Sequence, residues 1–275
     1  MALTTLGDIN RDGYGDFAVG APYDGPFGNG IVYIFHGSAN GPLAKPSQII
    51  KAEDIVESVP YPRTFGFALS GGLDMDGNTY PDLAVGAYAS DQAFIFKSRP
   101  VVAVNAMTSF ASPSKLINIE EKHCQTLRDG KHVACTDITT CWSYTGEYLP
   151  NVLEFDVSWV LDAKKPKNPR MFFLTDEGRN IRNMTITLGF GKSFCRNETV
   201  YLIDNIQDKL TPLEVETRYN LRSSRRPASL VRRKRDALEP VIDQNREIVQ
   251  RDAINIQKNC GADNICEPDL KLDIK

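Results

Sequence analysis

Hydrophobic and polar residues alternate along several stretches of the chain, and this alternation predicts β-strands. Mostly polar residues separate five apolar positions in residues 153–161, namely Leu153, Phe155, Val157, Trp159 and Leu161. Residues 213–221 have a similar pattern, and residues 184–188 are a third candidate strand. A period of two places alternate side chains on one buried face of a sheet. No long segment has helical spacing, so the sequence predicts an all-β fold.

The first hundred residues carry shorter apolar runs, separated by turns that are rich in Gly and Pro. The runs lie at residues 17–19, 31–35, 83–85 and 93–96. Short apolar runs between such turns are typical of strands in an antiparallel meander. The arrangement occurs twice, which predicts two copies of one repeat with about four strands each.

An acidic nine-residue loop precedes an apolar strand in each copy. We call residues 8–16 loop 1 and residues 74–82 loop 2. Oxygen-bearing side chains occupy positions 1, 3, 5 and 9, which are Asp8, Asn10, Asp12 and Asp16 in loop 1 and Asp74, Asp76, Asn78 and Asp82 in loop 2. Position 7 offers the backbone carbonyl of Tyr14 or Tyr80. Alternate oxygens that converge from a tight loop are typical of Ca²⁺ coordination.

The sequence allows two alternatives to a calcium loop. A solvated acidic turn is disfavoured because the loop is repeated ahead of the same kind of strand. An EF-hand requires a bidentate Glu at position 12, where the two copies have Val19 and Val85. Gly13 stands at position 6 of loop 1 but Gly77 at position 4 of loop 2, so we expect the two turns to differ in detail.

The pattern Asp-x-Asn-x-Asp-Gly-Tyr-x-Asp, followed by Phe-Ala-Val-Gly-Ala-Pro at residues 17–22, resembles the FG-GAP repeats of integrin α subunits. The Phe-Gly-Phe-Ala at residues 65–68, ahead of loop 2, belongs to the same resemblance. It implies that residues 1–98 are the last two blades of a seven-bladed β-propeller with Ca²⁺ in the loops. Because two blades cannot close a propeller, we expect an uncovered blade face. We also expect no strand ahead of Leu6.

Composition adds an extracellular setting. The 275 residues are 41% hydrophobic and 24% charged with a net charge of −3, which is ordinary globular material and indicates no nucleic-acid partner. Six cysteines and the glycosylation sequons at Asn183 and Asn197 favour an extracellular protein. The start is unlike a signal peptide, and no stretch is long and apolar enough to span a membrane. We therefore expect a fragment of a longer protein.

Residues 99–258 are predicted to form a β-sandwich of about seven strands. The resemblance implies an immunoglobulin-like thigh domain here. Cys124 and Cys135 bracket one short loop and Cys260 and Cys266 another, so local pairing leaves Cys141 with Cys195. No cysteine or histidine spacing supports a zinc site.

Residues 259–275 resemble the genu loop and the start of the calf-1 domain. The resemblance implies a weak Ca²⁺ site formed by Asp263 and the carbonyls of Cys260 and Ile265.

A basic run has two interpretations. Arg232, Arg233, Lys234 and Arg235 form either a solvated loop or a furin-type processing site.

The resemblance implies a function for the whole. It implies a fragment of an integrin α chain, a cell-surface adhesion receptor subunit that mediates adhesion and signalling. Such a chain is the extracellular part of a single-pass plasma-membrane protein, pairs with an integrin β subunit, and meets matrix or cell-surface ligands through blades outside this chain.

Two other functions remain open as alternatives, a secreted Ca²⁺-binding FG-GAP protein and an accessory module of a secreted hydrolase. Catalysis by this chain is disfavoured, since His36, His123 and His132 show no triad-like pattern.

Overall fold

The structure is a computed structural model that describes residues 1–55, 61–176, 178–223 and 238–258. The described residues divide into two compact units. The first lies within Met1–Ala103, Thr145–Pro150 and Ser223–Arg246, and the second within Val104–Tyr144, Asn151–Arg222 and Glu247–Lys275. The domain limits 1–98, 99–258 and 259–275 stay predictions. The expectations for Arg232 to Arg235, Cys260, Asp263, Ile265 and Cys266 lie outside the described residues.

Two antiparallel sheets carry the N-terminal repeats. Their orders are β1-β2-β3-β4 and β5-β6-β7, with strands β1 Ala2–Gly7, β2 Asp16–Ala21, β3 Ile31–Phe35, β4 Gln48–Lys51, β5 Ala68–Leu73, β6 Asp82–Ala87 and β7 Gln92–Phe96. Short 3₁₀ turns lie at Ala52–Asp54 and Tyr88–Ser90. The four predicted apolar runs fall within β2, β3, β6 and β7.

The first repeat has a leading strand, contrary to the expectation from the sequence. Strand β1 ends at Gly7 and pairs with β2 from Ala2↔Gly20 to Gly7↔Asp16. Leu6 is its one buried residue, and the others are half-buried or exposed. The strand is therefore fixed by its backbone pairing rather than by an apolar face, which is why periodicity did not predict it.

Phe65 packs in the shared core of the two repeat sheets. Its ring is fully buried and makes edge contacts with Phe94 and Phe96, with centroids 5.8 and 5.9 Å away. The next residue, Gly66, lies against Gly20 of β2, where an added Cβ would be only 2.0 Å from the Gly66 carbonyl oxygen. The Phe-Gly pair ahead of loop 2 thus joins the second repeat to the strand that follows loop 1.

The opposite face of the first sheet carries a row of exposed and half-buried apolar side chains. Leu3, Val19, Tyr33 and Ile49 pair across β1 to β4, and Leu3 is 72% and Ile49 46% exposed. The sequence predicts such an uncovered face for an incomplete array of blades.

Two five-stranded sheets form the sandwich, with orders β14-β16-β12-β8-β18 and β15-β13-β17-β19-β9, and a small hairpin pairs β10 with β11. The strands are β8 Val101–Phe110, β9 Leu116–Ile117, β10 Cys124–Gln125, β11 His132–Val133, β12 Cys135–Thr145, β13 Val152–Leu161, β14 Met171–Phe173, β15 Ile181–Gly189, β16 Phe194–Leu202, β17 Leu213–Leu221, β18 Val241–Ile242 and β19 Val249–Ile256.

The three predicted strands of the sandwich lie within β13, β15 and β17. The sheets hold more strands than the expected seven, because β9, β14 and β18 have only two or three residues and show no periodicity. Trp142 of β12 and Trp159 of β13 meet edge to face, with centroids 5.5 Å apart, and mark the core between the sheets.

Two disulfide bonds lie in the described part of the chain. Cys124 is bonded to Cys135, and Cys141 on β12 to its cross-strand partner Cys195 on β16. These are two of the three predicted pairs. No helix within the described residues has the length and hydropathy to cross a membrane.

The fold class is therefore all-β, a partial β-propeller followed by a β-sandwich.

Candidate metal sites

Both acidic loops connect the first two strands of a repeat. Loop 1 joins β1 to β2, and loop 2 joins β5 to β6. The residue at position 9, Asp16 or Asp82, is the first residue of the second strand and pairs with Gly7 or Leu73 beyond a β-bulge. The structure therefore places the two loops equivalently.

The carboxylate at position 9 closes each loop. Asp16 accepts hydrogen bonds from the backbone N–H of Ile9 at 2.8 Å and of Gly37 at 2.9 Å. Loop 2 repeats this arrangement, with Asp82 accepting from Met75 at 2.9 Å and from Ser98 at 2.8 Å. Gly37 and Ser98 each lie two residues beyond the third strand of their sheet, so each position-9 carboxylate ties its loop to that strand.

The carboxylate at position 1 holds the turn from inside. Asp8 accepts from the N–H of Asp12 at 3.1 Å and of Gly13 at 2.8 Å. In loop 2, Asp74 accepts from four N–H groups, those of Asp76, Gly77, Asn78 and Thr79. Desolvation alone would raise the pKa of Asp74, but these four donors outweigh it and hold the pKa below its ordinary value.

The two turns share a backbone feature but differ in detail, since Asp8 accepts from two N–H groups and Asp74 from four. Positions 4 and 6 are left-handed in both loops. They are Arg11 with φ 61° and Gly13 with φ 92° in loop 1, and Gly77 with φ 76° and Thr79 with φ 73° in loop 2. Each copy has glycine at one of two positions that favour it. Glycine therefore relieves strain at position 6 of loop 1 and at position 4 of loop 2.

Loop 2 brings three carboxylates close together. One carboxylate oxygen each from Asp74, Asp76 and Asp82 lies within 4.8 Å of the others. The Oδ1 atom of Asp76 is buried and has no hydrogen-bond partner among the residues that the structure describes. A buried carboxylate oxygen without a partner is costly unless a cation or donor meets it. The other oxygen of Asp76 lies 3.4 Å from Lys97 Nζ.

In loop 1, side-chain amides of the protein bond a carboxylate that is a candidate ligand. Asn10 replaces aspartate at position 3, and its amide nitrogen donates to Asp12 Oδ2 at 2.8 Å. Asn245 donates to the same oxygen at 3.1 Å. Desolvation raises the pKa of Asp16 above its ordinary value, although the N–H groups of Gly37 and Ile9 oppose the rise. A cation fits this loop if Asn10 turns its amide oxygen inward, since its two amide atoms are nearly isosteric.

Sequence reasoning missed two side chains beside the loops. His36 Nδ1 lies 3.4 Å from the Asn10 amide, and Lys97 lies beside Asp76. Both follow the last residue of a third strand directly, at Phe35 or Phe96. The signal was therefore present as the same offset in each repeat.

The two sequon asparagines lie on strands of the sandwich. Asn183 on β15 and Asn197 on β16 are both exposed. His123 and His132 are also exposed, next to the disulfide-bonded hairpin.

Comparison with known protein families agrees with this architecture. The FG-GAP repeat family model matches residues 2–35, which include loop 1. The model for integrin alpha Ig-like domain 1 matches residues 98–259, which is more than half of the chain. The chain belongs to the integrin alpha family.

The individual relatives that match the chain are also integrin alpha proteins. The chain is 76% identical to integrin alpha-PS2 of Drosophila melanogaster over 274 residues, which are 100% of this chain and 20% of that protein. It is 36% identical to integrin alpha pat-2 of Caenorhabditis elegans, over 98% of this chain and 23% of the relative. It is also 36% identical to integrin alpha-V of Gallus gallus, over 100% and 26%. The chain thus spans about a fifth to a quarter of these relatives.

Proposed function

We propose that loops 1 and 2 bind Ca²⁺ and that each bound ion stabilises its β-hairpin. The buried Oδ1 of Asp76, which lacks a partner in the described structure, carries this proposal. The donors of both loops are carboxylate, amide and carbonyl oxygens, the ligands that a hard divalent cation prefers. The proposed ligands are Asp8, Asn10, Asp12, Tyr14 and Asp16, and Asp74, Asp76, Asn78, Tyr80 and Asp82.

We expect each Ca²⁺ ion to be bound constitutively and to stabilise the fold. Extracellular Ca²⁺ modules bind with dissociation constants of about 10⁻⁴–10⁻³ M, close to the surrounding concentration. Each occupied site then adds only about 1–2 kcal/mol to stability by mass action. Bound Ca²⁺ would neutralise the clustered carboxylates, while the side chains of each loop hold its backbone.

The wider role that we propose is that of an integrin α chain at the cell surface. Residues 1–98 would be the end of a propeller, residues 99–258 a rigid thigh, and residues 259–275 the genu and start of calf-1. The protein would pair with an integrin β subunit and bind matrix or cell-surface ligands through parts outside this chain. Membership of the integrin alpha family supports this role.

Two further features belong to the same proposal. Asn183 and Asn197 would carry glycans. The Cys260–Cys266 loop would hold a weak Ca²⁺ site through Asp263 and the carbonyls of Cys260 and Ile265.

The basic run from Arg232 to Arg235 would be either a solvated loop or a furin-type processing site. Intact mass of protein secreted from furin-positive cells tests this, because uncut chain counts against processing.

Calorimetric titration tests the metal sites. Wild type is titrated with Ca²⁺ beside Asp12→Ala plus Asp76→Ala, which removes one ligand from each loop. The control, Asp54→Ala plus Asp91→Ala, removes two exposed carboxylates of the same unit outside the loops. We expect wild type and control to bind alike and the loop variant to lose the binding. Equal heats from all three chains would remove the Ca²⁺ assignment.

A further inference from the structure

Arg11 extends from loop 1 to loop 2. It occupies position 4 of loop 1, between the proposed ligands Asn10 and Asp12. Its guanidinium donates a hydrogen bond to the backbone carbonyl of Thr79, at position 6 of loop 2. The same group lies 5.3 Å from the ring centroid of Tyr80, within the range of a cation–π contact.

This contact falls on the peptide that joins two proposed ligands. The peptide between Thr79 and Tyr80 receives Arg11 at its carbonyl, and its N–H donates to Asn78 Oδ1 at 2.8 Å. Asn78 is the proposed ligand at position 5, and the carbonyl of Tyr80 is the proposed ligand at position 7. Arg11 therefore holds the peptide that orients both.

Glu147 fixes the arginine at the far side. It lies in Thr145–Pro150, a segment of the same compact unit. Its Oε2 is 3.3 Å from Arg11 and 3.3 Å from the Thr79 hydroxyl. The Tyr80 hydroxyl donates to the Glu147 carbonyl at 3.2 Å. These contacts surround Arg11 of loop 1 and Thr79 of loop 2, the two non-glycine residues of the loops that have left-handed conformations.

We propose that Arg11 is a positioning residue that couples the two cation sites, so that Ca²⁺ in loop 1 strengthens Ca²⁺ binding in loop 2. This proposal rests on the proposed Ca²⁺ function of the loops. A cation in loop 1 fixes Asn10 and Asp12, and with them the backbone of Arg11. The side chain then holds the Thr79–Tyr80 peptide in advance, which removes part of the ordering that loop 2 must undergo on binding.

The proposed connection runs through the side chain of Arg11. The residue of loop 2 that corresponds to Arg11 is Gly77, which has no side chain with which to reach back. Binding linkage is nevertheless reciprocal, so an ion in loop 2 strengthens binding in loop 1 by the same factor. Removing Arg11 should therefore weaken both sites while leaving every ligand in place.

A thermodynamic cycle on the 275-residue chain tests the coupling. Ca²⁺ binding to loop 2 is measured by calorimetry as the part of the binding heat that Asp76→Ala abolishes. Its dissociation constant is measured with loop 1 intact and with loop 1 disabled by Asp12→Ala, in chains with Arg11 and with Arg11→Ala. We expect disabling loop 1 to weaken loop 2 about fivefold with Arg11 present, at the lower end of typical couplings, and not with Arg11→Ala. An equal ratio in both backgrounds overturns the proposal.

A second arm avoids the Asp12 variant, which also loses hydrogen bonds within loop 1. Arg11→Ala alone, with both loops intact, should weaken the Ca²⁺ affinity of loop 2 about fivefold. Arg63→Ala is the matched control, because it removes an exposed arginine of the same unit whose backbone N–H is bonded to Ser90. Unchanged affinity in Arg11→Ala, or an equal loss in both variants, contradicts coupling through Arg11.

The two proposals fail differently. Without Ca²⁺ binding at the loops, wild type gives no heat that Asp12→Ala plus Asp76→Ala removes. If the loops bind independently, wild type shows two sites and Arg11→Ala leaves both constants unchanged.

Discussion

Thr79 takes the place in loop 2 that Gly13 has in loop 1, and both are left-handed, with φ of 73° and 92°. For glycine this conformation is unstrained, but a β-branched residue there is a genuine outlier. Such strain costs on the order of 1–3 kcal/mol and persists only where surrounding contacts impose it. Here those contacts are two hydrogen bonds. The N–H of Thr79 donates to the Asp74 carboxylate, and Arg11 donates to the Thr79 carbonyl.

Replacing Thr79 by glycine should therefore stabilise the metal-free chain. We expect a gain of about 1 kcal/mol, reduced by loss of the hydroxyl contact with Glu147. Urea unfolding in the presence of a chelator measures it. Gly13→Ala is the reciprocal change and should destabilise by a similar amount, because it forces a side chain into the left-handed region. Destabilisation by Thr79→Gly would show that its backbone is not strained.

The contact between Gly20 and Gly66 gives a second prediction. A Cβ on Gly20 would overlap the Gly66 carbonyl, so Gly20→Ala must push the two repeat sheets apart. Overpacking of this kind costs about 1–3 kcal/mol. Gly15→Ala is the control, since a Cβ there meets nothing within 4 Å and Gly15 is not left-handed. Thermal melting should separate the two variants, and equal melting temperatures would contradict the close approach.

Periodicity predicted three long strands, β13, β15 and β17, in which buried residues largely alternate with more exposed ones. It did not predict the long strands β8, β12, β16 and β19. It could not predict β1, in which only Leu6 is buried, or β18, which has two half-buried residues. The spacing of oxygen-bearing side chains predicted the positions of the loops, because the last of them, Asp16 or Asp82, is the first residue of a strand. Glu147, which lies beside Arg11 and Thr79, comes from a distant segment, and no local pattern records that proximity.

A buried ion pair in the sandwich gives a third prediction. Arg170 bonds Asp162 through two nitrogens at 2.8 and 2.7 Å, and both side chains are nearly inaccessible. Arg170→Met leaves the Asp162 carboxylate buried without its charge partner, and we expect a loss of about 3–5 kcal/mol in urea unfolding. Arg179→Met, which breaks the exposed pair with Asp176, should cost at most about 1 kcal/mol. Similar losses would mean that Asp162 finds another donor.

Acid should destabilise the sandwich through Asp208. Its pKa lies below the ordinary value because Lys165 and Thr211 bond the ionised carboxylate. A carboxyl whose pKa is lowered in the folded state stabilises the protein above its unfolded pKa of about 4, and this contribution is lost as pH falls toward the folded value. The melting temperature should therefore drop less below pH 4 in Asp208→Asn than in wild type. Glu120→Gln, an exposed control, should follow wild type throughout.

The exposed row of the first sheet should make this chain associate with itself. Leu3 and Ile49 flank Val19 and Tyr33 on an apolar face, and burying such surface is worth roughly 25 cal/mol per Å². Sedimentation velocity should show concentration-dependent association that Leu3→Ser plus Ile49→Ser weakens. Leu210→Ser plus Ile181→Ser removes comparably exposed apolar side chains from the second unit and should leave association unchanged. If both double variants weaken association equally, apolar exposure in general causes it, and the first sheet has no special part in it.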